Sequence, residues 1–430
     1  MACSDEPMPL ASLISLQLDL PPSCVEFCPA HPSYFLVGTY NLQKDEDAAA
    51  AIAENADAES DDDSLAEATV KTPQSRNGSI IVYKVEDDKL IHIQTKPQPS
   101  ALLDLHFNPH ACKHDICGVV SSTGTLAMFK LDPSGEQPLK HLKTMDMATM
   151  SKDADGAIDT DTLFTSFCWH PTRADMVAIT TSAGHVYLVD LGVSEGSWVL
   201  YPEPIITHTL EAWTVSISPF LGTTTGQPYE GLQKNESSFG VYSGGDDSAL
   251  RYQRCTLGAA DADDETQHPV DITSHMGARF KGHEAGVTAI LPLCLTKDGA
   301  ELVITGSYDD HIRLFSISAQ PYGPSRAEIL AKSNLGGGVW RLKLIDLDDG
   351  IADGHSWRAR LLVSCMHAGA RIVELIRTAD GKYQFRTIGR FEEHKSMNYG
   401  SDLQPGWTED LSIVSTSFYD KLLCLWKFNL

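Results

Sequence analysis

The chain has 430 residues, 42% hydrophobic and 21% charged, which is ample for a large core and ordinary for a water-soluble fold. Its 58 acidic against 33 basic residues give a formal net charge of −25. That balance argues against DNA, RNA or an anionic membrane as the main partner and suits a basic protein surface better. Ten cysteines are scattered without CxxC pairs, several of them inside apolar runs, as in a reduced cytoplasmic protein rather than a disulfide scaffold. The first residues lack a basic leader, and no apolar run reaches bilayer length.

In chain order, about seven units of strand–turn–strand pattern follow one another. Unit one offers Val25–Phe27, Tyr34–Tyr40 and Ser79–Val85; unit two offers Leu102–Phe107, Ile116–Val120 and Thr125–Phe129. Unit three has Phe164–Trp169, Met176–Thr180 and His185–Val189, and unit four has Trp213–Ile217 and Gly240–Asp247. Unit five is the most regular: Gly282-His283, then Val287–Ile290, then Leu302–Ile304 running through Gly306-Ser307-Tyr308-Asp309 into Ile312–Ile317. Unit six has Val339–Leu344, Leu361–His367 and Ala370–Leu375; unit seven has Ile413–Asp420 and Leu422–Phe428. This Gly-His…strand-Asp-strand grammar is similar to that of WD40 repeats, so residues 1–430 are expected to form one all-β domain, a seven-bladed β-propeller. The alternating segment within 10–20 is the expected outer strand of the last blade, closing the ring. An acidic insertion at 43–76, with Glu59-Ser60-Asp61-Asp62-Asp63, reads as a disordered loop inside the first blade. Smaller polar insertions stand near 153–161, 223–237 and 259–267.

Repeated positions are scaffold, so the departures carry the functional signal. The corner between second and third strands reads Gly245-Asp246-Asp247, Ser307-Tyr308-Asp309 and Phe418-Tyr419-Asp420 in units four, five and seven. The last Asp of each is expected to be structural, with His283 bonding Asp309 in unit five. Asp246, Tyr308 and Tyr419, one residue earlier, are expected at the mouth of the central channel. Unit six reads Cys365-Met366-His367, which puts a histidine where the structural Asp belongs. An imidazole at a ring mouth is a natural general base, and a changed local network is the plainer explanation. The approach to the inner strands is also unusual: Glu211-Ala212-Trp213, Gly336-Gly337-Gly338-Val339-Trp340, and Met397-Asn398-Tyr399. Trp213 and Trp340 fit packing between blades as well as ligand binding, whereas Glu211 is costly to bury unpaired. There is no GxSxG, HExxH or phosphate-loop motif, and the tract Cys112-Lys113-His114-Asp115-Ile116-Cys117 lies where a loop enters a strand, so no metal or other cofactor is expected.

Together the strings Val25-Glu26-Phe27-Cys28-Pro29, Glu211-Ala212-Trp213, Tyr242–Asp247, Gly337-Gly338-Val339-Trp340-Arg341, Cys365-Met366-His367 and Ser417-Phe418-Tyr419-Asp420 resemble the eukaryotic diphthine methylesterase family. The resemblance runs from near residue 25 to residue 430 and implies a cytoplasmic hydrolase of diphthamide biosynthesis. Such enzymes cleave the methyl ester of methylated diphthine, a modified histidine of translation elongation factor 2. That protein is the implied partner, with no nucleic acid or membrane, and a monomer is expected. The family pattern does not fix the chemistry, so roles are assigned from these residues. His367 is the candidate base, and Glu211 and Asp246 would orient it or hold the substrate's trimethylammonio group. Trp213, Tyr308, Tyr399 and Tyr419 are candidates to hold the substrate's trimethylammonio group, beside Trp340. Gly337 and Gly338 supply candidate oxyanion amides; Ser364 and Cys365 are alternative nucleophiles to water. A non-catalytic WD40 scaffold binding a basic partner at the same mouth is the competing reading.

Overall fold

The structure is a computed structural model that describes residues 6–42, 76–146, 162–194, 197–201, 203–218, 220, 237–257, 272–274, 277–318, 325–348, 357–406 and 410–429. The expected insertions at 43–76, 153–161, 223–237 and 259–267 lie outside these residues, except for Arg76 and Ser237, which begin strands.

The strands form seven separate sheets, each an antiparallel meander, arranged as the blades of a β-propeller. Blade one is built on Pro22–Phe27, Tyr34–Thr39, Arg76–Glu86 and Lys89–Gln98. The inner strands of blades two to seven are Leu102–Phe107, Phe164–Trp169, Ala212–Ser218, Val287–Leu295, Arg341–Leu347 and Gly400–Leu403. Each inner strand meets the next around the ring, and the apolar cores lie between neighbouring blades. The outer strand of blade seven is Ser12–Gln17, antiparallel to Leu422–Asn429. Its exposure alternates residue by residue, as a half-buried strand requires. Just before it, Met8–Leu10 adds in parallel to the outer strand of blade six, so the N-terminal segment ties two blades together.

The corner Asp residues take the structural role expected, with one change of partner. In blade four His208 Nδ1 meets Asp247 Oδ1 at 2.8 Å and Nε2 meets the Ser243 hydroxyl at 3.0 Å. In blade seven both His394 and the Trp426 indole N–H bond the Ser415 hydroxyl. In blade five the expected His283–Asp309 bond does not form: His283 Nε2 meets the Thr305 hydroxyl at 2.9 Å. Asp309 instead accepts from the Glu284 backbone N–H at 2.8 Å and from both Arg313 Nη atoms at 2.8 and 2.6 Å. A fixed guanidinium fork satisfies two carboxylate oxygens at once, which one imidazole cannot.

Candidate active site

The inner strands begin with a β-bulge, and this decides which side chains reach the mouth. In blades one to five the register shifts between Pro22 and Cys24, Leu102 and Asp104, Phe164 and Ser166, Ala212 and Thr214, and Val287 and Ala289. The bulged residues of blades one, three and five are Ser23, Thr165 and Thr288, whose hydroxyls donate to Leu102 O, Ala212 O and Val339 O of the next blade. Blade four has Trp213 there instead. In blade six Trp340 N–H bonds Ser364 O although Arg341 is the strand partner of Ser364, so two residues oppose one. Tyr399 precedes the inner strand of blade seven in the same way. At these places a small inter-blade staple is replaced by a large ring.

These rings meet. Trp340 is the hub, with ring centroids 5.9 Å from Trp213, 5.8 Å from Tyr308 and 4.9 Å from Tyr399. The chain of contacts continues from Tyr399 to Phe418 at 5.4 Å and from Phe418 to Tyr419 at 5.0 Å; Tyr40 joins Phe418 at 6.1 Å. Tyr419 stands out at 69% exposure, forming the rim. Among the described residues the buried indole N–H groups of Trp213 and Trp340 have no hydrogen-bond partner, an uncommon state for one such donor and more so for two in contact.

Asp246 lies in the same cluster. A Cβ added to Gly286 would come within 2.6 Å of Asp246 Oδ1 and 2.9 Å of the Tyr308 ring, so only glycine leaves room for that carboxylate. Asp246 N–H donates to Glu211 O at 2.9 Å, which fastens the two acidic residues side by side. Burial raises the Asp246 pKa; the Trp213 indole opposes this electrostatically, though outside hydrogen-bond geometry, and Glu211 and Asp247 add to it. Burial, with Asp246 and Tyr399 nearby, also raises the Tyr308 phenol, which stays neutral.

The corner of blade six is built differently. In blades four, five and seven the left-handed residue follows the Asp: Ser248 at φ 57°, Asp310 at φ 64° and Lys421 at φ 56°. In blade six two residues are left-handed, Met366 before His367 at φ 42° and Gly369 after it at φ 75°. The ion pairs at these corners differ as well. Asp247 pairs with Arg251 and Asp309 with Arg313, four residues on. Arg371 stands four after His367, finds no carboxylate there, and pairs with Glu392 at 2.7 Å. His367 is exposed and, among the described residues, makes no hydrogen bond, ion pair or ring contact, so it does not join Glu211 and Asp246. The glycines serve this corner: a Cβ on Gly337 would meet Cys365 O at 2.3 Å, and one on Gly338 would meet Met366 Sδ at 2.5 Å. Cys365 is fully buried, and burial pushes its thiol up to about 12. Ser364 is 1% exposed and bonds the Ser401 hydroxyl. Neither has the activated, accessible character of a nucleophile.

Beneath the rings the channel holds a cavity of about 320 Å³ whose wall includes Tyr399 and a set of charged residues. Arg341 of blade six reaches across to Asp104 of blade two, with Nη2–Oδ1 at 2.7 Å and Nη1–Oδ2 at 3.3 Å. Below lie His106 against Glu26 at 2.5 Å and Lys343 against Asp402 at 3.0 Å. Burial works against a charged His106, but Asp104 and Glu26 outweigh it and raise the imidazole to about 9. Burial also works against a charged Asp104, but Arg341 and His106 outweigh it and hold its carboxyl well below the usual range. None of these six was singled out from sequence. The available signal was a run of charged residues inside inner strands that otherwise read apolar.

No family model matches the chain. Curated relatives do. It is 26% identical to the Schizosaccharomyces pombe diphthine methyltransferase over 355 residues, 82% of this chain and 86% of the relative. It is 23% identical to that of Saccharomyces cerevisiae over 453 aligned positions, 96% and 97% of the two chains. To the Homo sapiens protein of the same name it is 22% identical over 415 positions, 91% of this chain and 74% of the relative. Over most of its length the chain is similar to proteins named diphthine methyltransferase.

Proposed function

We propose that this protein is a cytoplasmic, monomeric carboxylic methyl-ester hydrolase that demethylates methylated diphthine on translation elongation factor 2, ahead of the final amidation. The similarity to proteins named diphthine methyltransferase supports the substrate. The observation that carries the chemistry is the cluster of Trp213, Tyr308, Trp340 and Tyr399 with the Asp246 carboxylate in its wall. A quaternary ammonium has no N–H to donate, so it is held by ring faces and a nearby negative charge rather than by hydrogen bonds. Tyr419 extends that surface at the rim.

With the ammonium group held, water attacks the ester carbonyl, the oxyanion is stabilised by donors at the mouth, and methanol leaves as the carboxylate forms. Asp246 and Glu211 are the groups that draw the proton from that water; His367, free on the neighbouring corner, is the alternative base. The Gly337 and Gly338 amides and the tyrosine hydroxyls are the candidate oxyanion donors. Water is preferred to Cys365 or Ser364 because both are sealed in the core. The relatives are named as transferases, and the products separate the two chemistries: hydrolysis yields methanol, transfer a methylated acceptor. The experiment is to incubate purified protein with methylated, diphthine-bearing elongation factor 2 and assay methanol. Release above the protein-free rate is expected. Tight binding without release would leave a scaffold that docks a basic partner.

A further inference from the structure

We propose that Arg341 is the carboxyl-recognising group of the site: its guanidinium contacts the ester carbonyl of the substrate and the carboxylate of the product from the floor of the aromatic cup. This rests on the reading of the mouth as a quaternary-ammonium ester site and adds the anchor for the other end of the reacting group.

The bulge at the start of blade six's inner strand brings Trp340 and Arg341, consecutive in sequence, to the same channel, so the hub of the cup and the guanidinium are fixed to one another. Asp104 holds that guanidinium in place. It takes both Nη atoms of Arg341, while its own oxygens accept from the Ser166 hydroxyl at 2.6 Å and the Leu105 N–H at 3.0 Å, and His106 Nε2 lies 3.2 Å away. The carboxylate is 1% exposed and anchored from blades two and three, so Arg341 is stretched across the channel rather than free to swing. Arg341 itself keeps 26% of its side-chain surface open to the cavity. Its guanidinium has five N–H groups, and Asp104 is its hydrogen-bond partner among the described residues, which leaves donors facing the cavity. A fixed, always-charged fork beside an apolar cup suits a carboxyl oxygen that gains negative charge during attack and keeps it in the product. Asp104 is then a positioning residue.

The test uses the full chain and two small probes. Tetramethylammonium engages the cup alone; glycine betaine carries a carboxylate beside the same trimethylammonium. Binding is read by calorimetry or tryptophan fluorescence. Wild type is expected to prefer betaine to tetramethylammonium by roughly tenfold, the scale of one charge-assisted hydrogen bond. Arg341→Gln should abolish that preference while leaving tetramethylammonium binding unchanged. Because Arg341→Gln strands a buried carboxylate, Asp104→Asn/Arg341→Gln is the folding-safe companion, and it should behave the same way. Asp104→Asn alone should shrink the preference, a ratio that loss of stability does not move. Equal binding of both probes by wild type, or a preference that survives in the Arg341→Gln or double variant, would overturn the proposal and leave the cup intact. Failure of both probes to bind wild type would instead overturn the cup and this proposal with it.

Discussion

Replacing Trp340 with leucine separates packing from recognition at the mouth. The ring contacts three others, Trp213, Tyr308 and Tyr399, at centroid distances of 4.9 to 5.9 Å. Aromatic pairs contribute about 0.5–1.5 kcal/mol each beyond area burial, so losing three should cost roughly 2–4 kcal/mol of stability. A cation held over the same rings gains about 0.5–2 kcal/mol per favourable face, so the variant should also bind a quaternary ammonium roughly 3- to 30-fold more weakly. The control is Phe391→Leu, which breaks a buried stack with Trp426 at 5.0 Å inside the blade six–seven core. Urea denaturation should show both variants destabilised. Initial rates of methanol release should show a raised KM for Trp340→Leu alone, with kcat less affected, because the cup binds ground state and transition state alike. If Trp340→Leu is destabilised like Phe391→Leu but keeps wild-type KM and tetramethylammonium affinity, the ring is packing and the argument for recognition fails.

Three further outcomes follow from the electrostatics and the corner of blade six. Burial raises the Asp246 pKa and Glu211 adds to it, so Glu211→Gln should move the acid limb of the pH–rate profile to lower pH; an unmoved limb would remove Asp246 from the rate equation. Glu301, 3% exposed between blades four and five, is pushed by burial up to about 7, against the Ser218 and Tyr242 hydroxyls that favour its carboxylate. A raised carboxyl stabilises the fold below its unfolded pKa, and that contribution is lost as pH rises through the folded value. Glu301→Gln should therefore gain up to about 3 kcal/mol over wild type at pH 8.5 and little at pH 4, as urea denaturation at the two pH values would report. A difference independent of pH would contradict the assignment. His367→Ala should leave stability within about 0.5 kcal/mol, since the side chain is exposed and unpaired, while methanol release decides its role: full turnover leaves Asp246 and Glu211 as the base.

The strands and the ring were legible because apolar alternation, the Gly-His pair and the Gly- and Asp-containing corners are local. The mouth was partly legible: comparing corners marked Asp246, Tyr308 and Tyr419, and the contacts through Trp340, Tyr399 and Phe418 link Tyr308 to Tyr419, with Asp246 against Tyr308. Two things resisted. The corner at His367 has the same length as its sisters, so the sequence places the imidazole at an Asp position, while the backbone there turns left-handed at Met366 and Gly369 rather than directly after that position. The pair Asp104–Arg341 is separated by 237 positions and closes only when the ring closes. Alternation says that each faces inward and nothing about which residue stands opposite.

Whether water is the acceptor is tested most directly by a single turnover in oxygen-18 water with methylated, diphthine-bearing elongation factor 2, including a trap for any acyl-enzyme. The account predicts methanol with unlabelled oxygen, one heavy oxygen in the diphthine carboxylate and nothing in the trap. A carboxylate that keeps both original oxygens, with the methyl group on another acceptor, would contradict it.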